Sequence, residues 1–125
     1  MEKEKITFSR YGKSFQEQLC MVILDDRPFA DQIEEVLDVS FLELRYLKLF
    51  LKVIFQYRQK YGVHPSRTIL STILRSGIDD ENEMTQQQVR EYYARALVAG
   101  LDENHEYIKD TALDFCRKQN LKSAM

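Results

Sequence analysis

Apolar residues recur at intervals of three and four along most of the chain, which is the spacing of one face of an α-helix. A first helix is predicted to start at Ser14, with Glu17 completing a capping box, and a second is predicted to start at Pro28. The longest predicted helix spans about 41–61 and ends at Gly62. No strand pattern is convincing. The pattern therefore predicts an all-α fold.

The third predicted helix is apolar around most of its circumference, and its polar residues share one narrow face. An ordinary surface helix carries an apolar stripe only somewhat over ~100° wide. We therefore expect this helix to be covered on several sides and to lie at the centre of the fold.

The remaining helices are shorter or more one-sided. Ser66 can cap a fourth helix that Gly77 closes, and two further helices follow an acidic loop. The predicted organisation is a flexible N-terminal segment (1–13), a compact bundle of about four helices (14–77), an acidic loop (78–84) and a two-helix hairpin (85–125).

Both helices of the predicted hairpin carry an apolar stripe. Two helices packed only on each other leave part of such stripes open to water, so a second copy of the chain could cover them, although the same residues could equally form core. We expect self-association through the hairpin, and expect a charge placed there to separate the copies without loss of helicity. The interface residues of this hypothesis are Val89, Tyr92, Tyr93, Ala96, Ile108, Ala112 and Phe115.

A basic strip on the third helix is a weaker candidate site. It could contact phosphates, or it could be a solvated face that keeps a very apolar helix in solution, and we prefer the second interpretation. The residues of the basic strip are Arg45, Lys48, Lys52 and Lys60.

Composition and charge narrow the class of protein. The chain is 44% hydrophobic and 30% charged with only 4 Gly and 2 Pro, which is too apolar for a disordered chain and too poor in turn residues for an all-β one. A net charge of −2 gives the whole chain no electrostatic reason to bind nucleic acid or an anionic membrane. The sequence has neither an export signal nor a membrane span, so we expect a cytoplasmic protein.

Residues that could carry chemistry are few. The run 12–14 (GKS) is similar to the end of a phosphate-binding loop, but Thr7 stands where that motif requires Gly. Cys20 and Cys116 are far apart and have no metal-ligand spacing. We expect no catalytic residue, no metal and no cofactor in these 125 residues.

The stretch 14–74 resembles the N-terminal domain of DnaB-type replicative helicases, especially the phage-encoded branch. The matching features are EQLCMVILDD, an aromatic at Phe29, the run DVSFLELRYLKLFLKVIFQY and the Pro-containing VHPSRTILSTIL. The last segment, EYIKDTALDFCRKQNLKSAM, looks like the family's final helix, which leads through a linker into the motor domain. The acidic loop and the fifth helix are placed by order only.

The resemblance implies a non-catalytic part of a helicase that takes part in hexamer assembly and recruits primase or a helicase loader. It also implies that ATP, Mg²⁺ and DNA bind only the missing motor domain, and that the protein works in the cytoplasm of a bacterium or a phage-infected bacterial cell. The alternative is a stand-alone helical nucleic-acid-binding or regulatory interaction module that uses the basic strip.

Overall fold

The computed structural model describes residues 7–101 and 103–124, with side chains to Leu121. Within these ranges the chain forms six α-helices and two short 3-10 turns, with no strand, which confirms the all-α prediction. The 3-10 turns are Phe8–Tyr11 and Val39–Phe41, and the helices are α1 Gly12–Asp25, α2 Arg27–Glu34, α3 Arg45–Tyr61, α4 Arg67–Gly77, α5 Glu83–Ala99 and α6 His105–Ala124.

Helix α3 lies at the centre, packed against α1, α4 and α5, as its apolar circumference predicts. It begins later than expected because the Asp38 carboxylate accepts the Ser40 N–H at 2.8 Å and closes a separate turn, after which Leu44 is extended. It ends at Gly62, whose φ of 71° is the left-handed conformation that favours glycine.

The start of α1 differs from the prediction. The helix begins at Gly12, no side chain caps it, and the expected capping box of Ser14 and Glu17 does not form. The Glu17 carboxylate instead accepts hydrogen bonds from Tyr46 of α3 and Arg95 of α5. A capping box is a local pattern, and here tertiary partners bind the glutamate.

Part of the segment predicted as flexible belongs to the fold. Residues 1–6 lie outside the described ranges, but Phe8 is fully buried in the turn that precedes α1. Its ring contacts Phe15, Phe41 and Phe115, with a centroid separation of 4.5 Å to Phe115. One aromatic in a lysine-rich segment has no periodic pattern, so the sequence could not show these partners.

Side-chain caps fix the starts of three other helices. Ser66 accepts the Ile69 N–H at 3.2 Å, as predicted. Asp26 accepts the Phe29 N–H at 3.1 Å beside Pro28, where the sequence predicted a helix start but no capping residue. Helix α5 begins two residues before the predicted Thr85, since Asn82 provides its cap and ends the acidic loop.

The last two helices do not pack chiefly on each other, as the predicted hairpin requires. Helix α5 packs chiefly on α3, whereas α6 packs on α1 and α2. One hydrophobic core includes residues of all six helices, so the predicted bundle and the last two helices share that core.

Candidate interaction surface

The predicted self-association residues lie inside the chain. Each is at most 9% exposed. Tyr93 donates its hydroxyl to the Arg67 carbonyl at 2.7 Å, and Phe115 packs on Phe8. The open apolar faces that the prediction assumed are therefore absent, because α3 and α1 already cover the two stripes. The interface prediction is therefore wrong for all seven residues, which belong to the core of the single chain. They are Val89, Tyr92, Tyr93, Ala96, Ile108, Ala112 and Phe115.

The basic strip does not form a continuous positive surface. Arg45 donates two hydrogen bonds of 2.9 Å to the Glu81 carboxylate, so an acidic residue neutralises one end of the strip. Lys52 and Lys60 are exposed, and the Lys60 ammonium lies 5.4 Å from the centroid of the Tyr61 ring. The half-buried Lys48 completes the strip.

A polar cluster around Arg58 was not found from the sequence. The guanidinium donates to Glu34 at 3.1 Å, to Asp31, and to His64 Nδ1 at 2.8 Å, and its side chain is only 10% exposed. His64 Nε2 lies 2.6 Å from the Leu24 carbonyl oxygen. Because a guanidinium only donates and a carbonyl only accepts, Nδ1 is placed to accept from Arg58 and Nε2 to donate to Leu24.

The Arg58 cluster lies beside a cavity of about 320 Å³ and connects neighbouring segments of the chain. Burial lowers the pKa of Arg58, but hydrogen bonds to Asp31 and Glu34 outweigh it, and the net pKa is raised. Both imidazole nitrogens of His64 are engaged, so this residue has no free nitrogen to act as a base. The cluster ties α2 and the loop after α3 to α3.

A second polar cluster joins α1, α3 and α5 at Glu17. Tyr46 donates to its carboxylate at 2.5 Å, and Arg95 donates two hydrogen bonds of 3.1 Å. Burial raises the pKa of Glu17, yet the bonds from Arg95 and Tyr46 more than offset it and leave the pKa below its ordinary value. The glutamate is therefore held as a charged structural group.

The two thiols are buried in the core. Burial raises the pKa of Cys116 to about 12 and that of Cys20 well above its ordinary value. Both thiols are therefore protonated at neutral pH, whereas a nucleophile or metal ligand requires the thiolate.

The described ranges contain neither a metal-binding group of side chains nor a helix suited to crossing a membrane. No group of three or more His, Cys, Asp or Glu within 7–101 and 103–124 is placed to hold a metal ion. Over the same residues, no helix combines the length and apolarity that crossing a bilayer requires.

An open cleft between α4 and α5 is the best candidate for a binding surface. Both helices pack on α3, and a cavity of about 230 Å³ lies between them. Its floor is apolar and consists of the buried side chains of Leu74, Ile78 and Tyr93. The other lining residues are Ser71, Arg75, Arg90, Ala94 and Leu97. An apolar concave surface with a polar rim is typical of ligand or partner sites.

Among the described residues, four of the nine arginines form ion pairs, and the two arginines of the cleft are among those that do not. Arg45, Arg58, Arg67 and Arg95 each form an ion pair with a carboxylate. Arg75 and Arg90 are exposed and make no ion pair with any residue in the described part of the chain. The cleft therefore has an apolar floor with one exposed, unpaired arginine on each wall.

Comparisons with known proteins identify no family for this chain. No protein-family model matches it, and neither the curated proteins nor the solved structures yield a match. The candidate surface is accordingly defined by its geometry: two helix walls, an apolar floor and two exposed arginines.

Proposed function

We propose that this chain is the non-catalytic N-terminal domain of a DnaB-like replicative helicase, which takes part in hexamer assembly and recruits primase or a helicase loader. The observation that carries the proposal is the order of elements. Two helices, a turn, the long central α3, a loop with Pro65 and the short α4 follow one another as the resemblance implies, and two long helices come after them.

The α4–α5 cleft supports partner recruitment. Its floor is apolar, and Leu97 of its lining and the next residue in α5, Val98, are 36% and 90% exposed. Exposed aliphatic side chains beside a concave apolar floor are the composition of a protein-binding site. We place the recruitment surface here.

Hexamer assembly is part of the proposal, but its contacts need surfaces other than the seven residues expected from the sequence. Those seven side chains are core, and a partner could reach them only after α5 or α6 left the fold. Assembly contacts therefore lie on exposed side chains.

The non-catalytic role is supported by how the reactive groups are engaged. His64 is held between Arg58 and a carbonyl, and both thiols are buried. Catalysis, ATP and Mg²⁺ belong in this proposal to the motor domain of the parent protein. The stand-alone nucleic-acid module gains no specific support, because Glu81 binds Arg45 of the basic strip.

The parent coding sequence provides the test. Read past codon 125, it should encode G-x-x-x-x-G-K-[ST] about 50–100 residues downstream. A different downstream domain would contradict the proposal.

The purified 125 residues should also neither hydrolyse ATP nor bind it tightly. The GKS run forms the first turn of α1. The residues before it form a short turn, in which Thr7 accepts the Ser9 N–H at 3.1 Å, and not a phosphate-binding loop. Stoichiometric ATP binding that is lost in Lys13→Ala would overturn the assignment of nucleotide chemistry to the motor.

A further inference from the structure

We infer that the α4–α5 cleft binds an amphipathic helix of a partner protein, with aliphatic side chains on its inner face and carboxylates at its edges. The inference rests on the proposed function in taking the occupant to be a protein. The shape of the cleft and its two unpaired arginines specify the chemistry of that occupant.

The shape of the cleft favours a helix. One wall carries Ser71 and Arg75 of α4, and the other carries Arg90, Ala94 and Leu97 of α5. The residues of each set lie three or four positions apart, so each wall is one face of a helix. Ridges of an incoming helix can enter the groove between two such faces, which is the helix-in-groove mode of recognition.

The floor and the small wall residues specify the inner face of the occupant. Leu74, Ile78 and Tyr93 present buried apolar surface, while Ser71 and Ala94 are small and exposed. Small side chains on the walls permit close approach, and an apolar floor gains from burying aliphatic groups. Leucine-like anchors spaced at i, i+3 or i+4, and i+7 fit this surface.

The charges specify the edges of the occupant. Arg75 on one wall and Arg90 on the other have no carboxylate partner in the described part of the chain, whereas Arg67, on the same helix as Arg75, is paired with Asp25. A guanidinium binds a carboxylate through two parallel hydrogen bonds. Acidic residues flanking the anchors would complete both pairs.

A polyanion such as nucleic acid fits the cleft less well. The acidic loop, with Asp79 and Asp80 exposed, directly follows Ile78 at one end of the cleft and would repel an extended phosphate backbone. An apolar floor also offers phosphates no donors. A short helix can place two carboxylates at the arginines and avoid the loop.

The test is selection from a displayed library of helical peptides of about 16 residues, long enough for four turns, with Leu, Ala, Glu or Lys at each varied position. Against the purified chain, we expect enrichment of aliphatic i, i+3 or i+4, i+7 anchors flanked by Glu. Enrichment of Lys at the edges, or no enrichment, would overturn the inference.

The selected peptide is then titrated by fluorescence anisotropy against variants of the chain. Arg75→Glu with Arg90→Glu removes two ion pairs and creates two repulsions, so binding should weaken about tenfold or more, and replacing the peptide's Glu residues by Lys should restore it. The control is Arg117→Glu, a single charge reversal at an exposed position of α6, which should leave binding unchanged. Equal weakening by the control would overturn the inference.

Two further outcomes separate other occupants. If the chain alone forms dimers that the double reversal dissociates in sedimentation, the occupant is a second copy and the inference is wrong. If acidic peptides bind as expected but the parent gene encodes no motor domain, the proposed function fails while the docking chemistry stands.

Discussion

The ammonium of Lys109 in α6 lies 2.8 Å from Oδ2 of Asp26, the residue that caps α2. The other carboxylate oxygen, Oδ1, accepts the Phe29 N–H at 3.1 Å. One side chain therefore caps a helix with one oxygen and anchors the last helix with the other. Lys109 also pairs with Glu106 one turn earlier in α6, at 2.7 Å.

The two roles of Asp26 can be separated by substitution. Asp26→Asn keeps an oxygen that can cap α2 but loses the ion pair, whereas Asp26→Ala loses both. We expect Asp26→Ala to lower the free energy of unfolding by about 1–2 kcal/mol. Asp26→Asn and Lys109→Met, which lose only the ion pair, should each lower it by less. Urea titration followed by circular dichroism measures all three, and equal losses for Asn and Ala would show that the cap contributes nothing.

The same ion pair predicts how stability depends on pH. The hydrogen bond from Lys109 holds the pKa of Asp26 below its ordinary value, and bonds from Arg95 and Tyr46 do the same for Glu17 against the opposing effect of burial. A carboxyl with a depressed folded-state pKa stabilises the fold above its unfolded pKa, and the stabilisation is lost as pH falls through the folded value. Stability should therefore fall progressively below about pH 5.

Lys109→Met provides the matched comparison for this loss of stability at low pH. Without the ammonium, the pKa of Asp26 should return toward its ordinary value, so the variant should lose less stability than the wild type between about pH 5 and pH 2. Unfolding free energies measured across that range would contradict the account if the two curves ran parallel.

Phe115 tests the correction of the self-association hypothesis. Its ring is 5% exposed and packs on Phe8 and Phe41, so a buried aspartate there would lack a partner. Phe115→Ala should cost about 3–5 kcal/mol, and Phe115→Asp should abolish the fold. Tyr107→Asp, on the same helix but 64% exposed, is the control and should be close to neutral. Retained helicity in Phe115→Asp together with a smaller sedimentation coefficient would restore the interface hypothesis.

Gly77 at the end of α4 is predicted to be required by close packing. A Cβ atom at this position would lie 2.8 Å from Val53 Cγ2 of α3, inside van der Waals contact. We expect Gly77→Ala to destabilise the chain by about 1–3 kcal/mol despite the better helix propensity of alanine. In a double-mutant cycle with Val53→Ala, the smaller side chain should remove most of that penalty, and strict additivity of the two changes would contradict this packing argument.

Whether the sequence predicted an interaction depends on how far apart the two residues lie along the chain. Helix periodicity, the cap Ser66 and the stop at Gly62 involve residues within four positions of one another, and they were predicted. The bond between Arg58 and Glu34 joins residues 24 positions apart, and no local pattern indicates it.

The same limit explains the error at the last two helices. Two adjacent apolar stripes, such as those that contain Tyr93 and Phe115, suggest a hairpin, but the sequence does not say that α3 and α1 offer separate partners. The α4–α5 cleft could not be predicted, because an unfilled space between two helices leaves no pattern in the sequence. Arg75 and Arg90 became informative only once the structure showed them on opposite walls of one cleft.

The most direct test of the central claim, that the chain recruits a replication partner through the α4–α5 cleft, is calorimetric titration with the primase and loader encoded in the same genome. The account predicts that one of them binds the wild type and Arg117→Glu equally and binds the chain carrying Arg75→Glu and Arg90→Glu about tenfold or more weakly. No binding by either protein, or binding that the double reversal leaves unchanged, would contradict it.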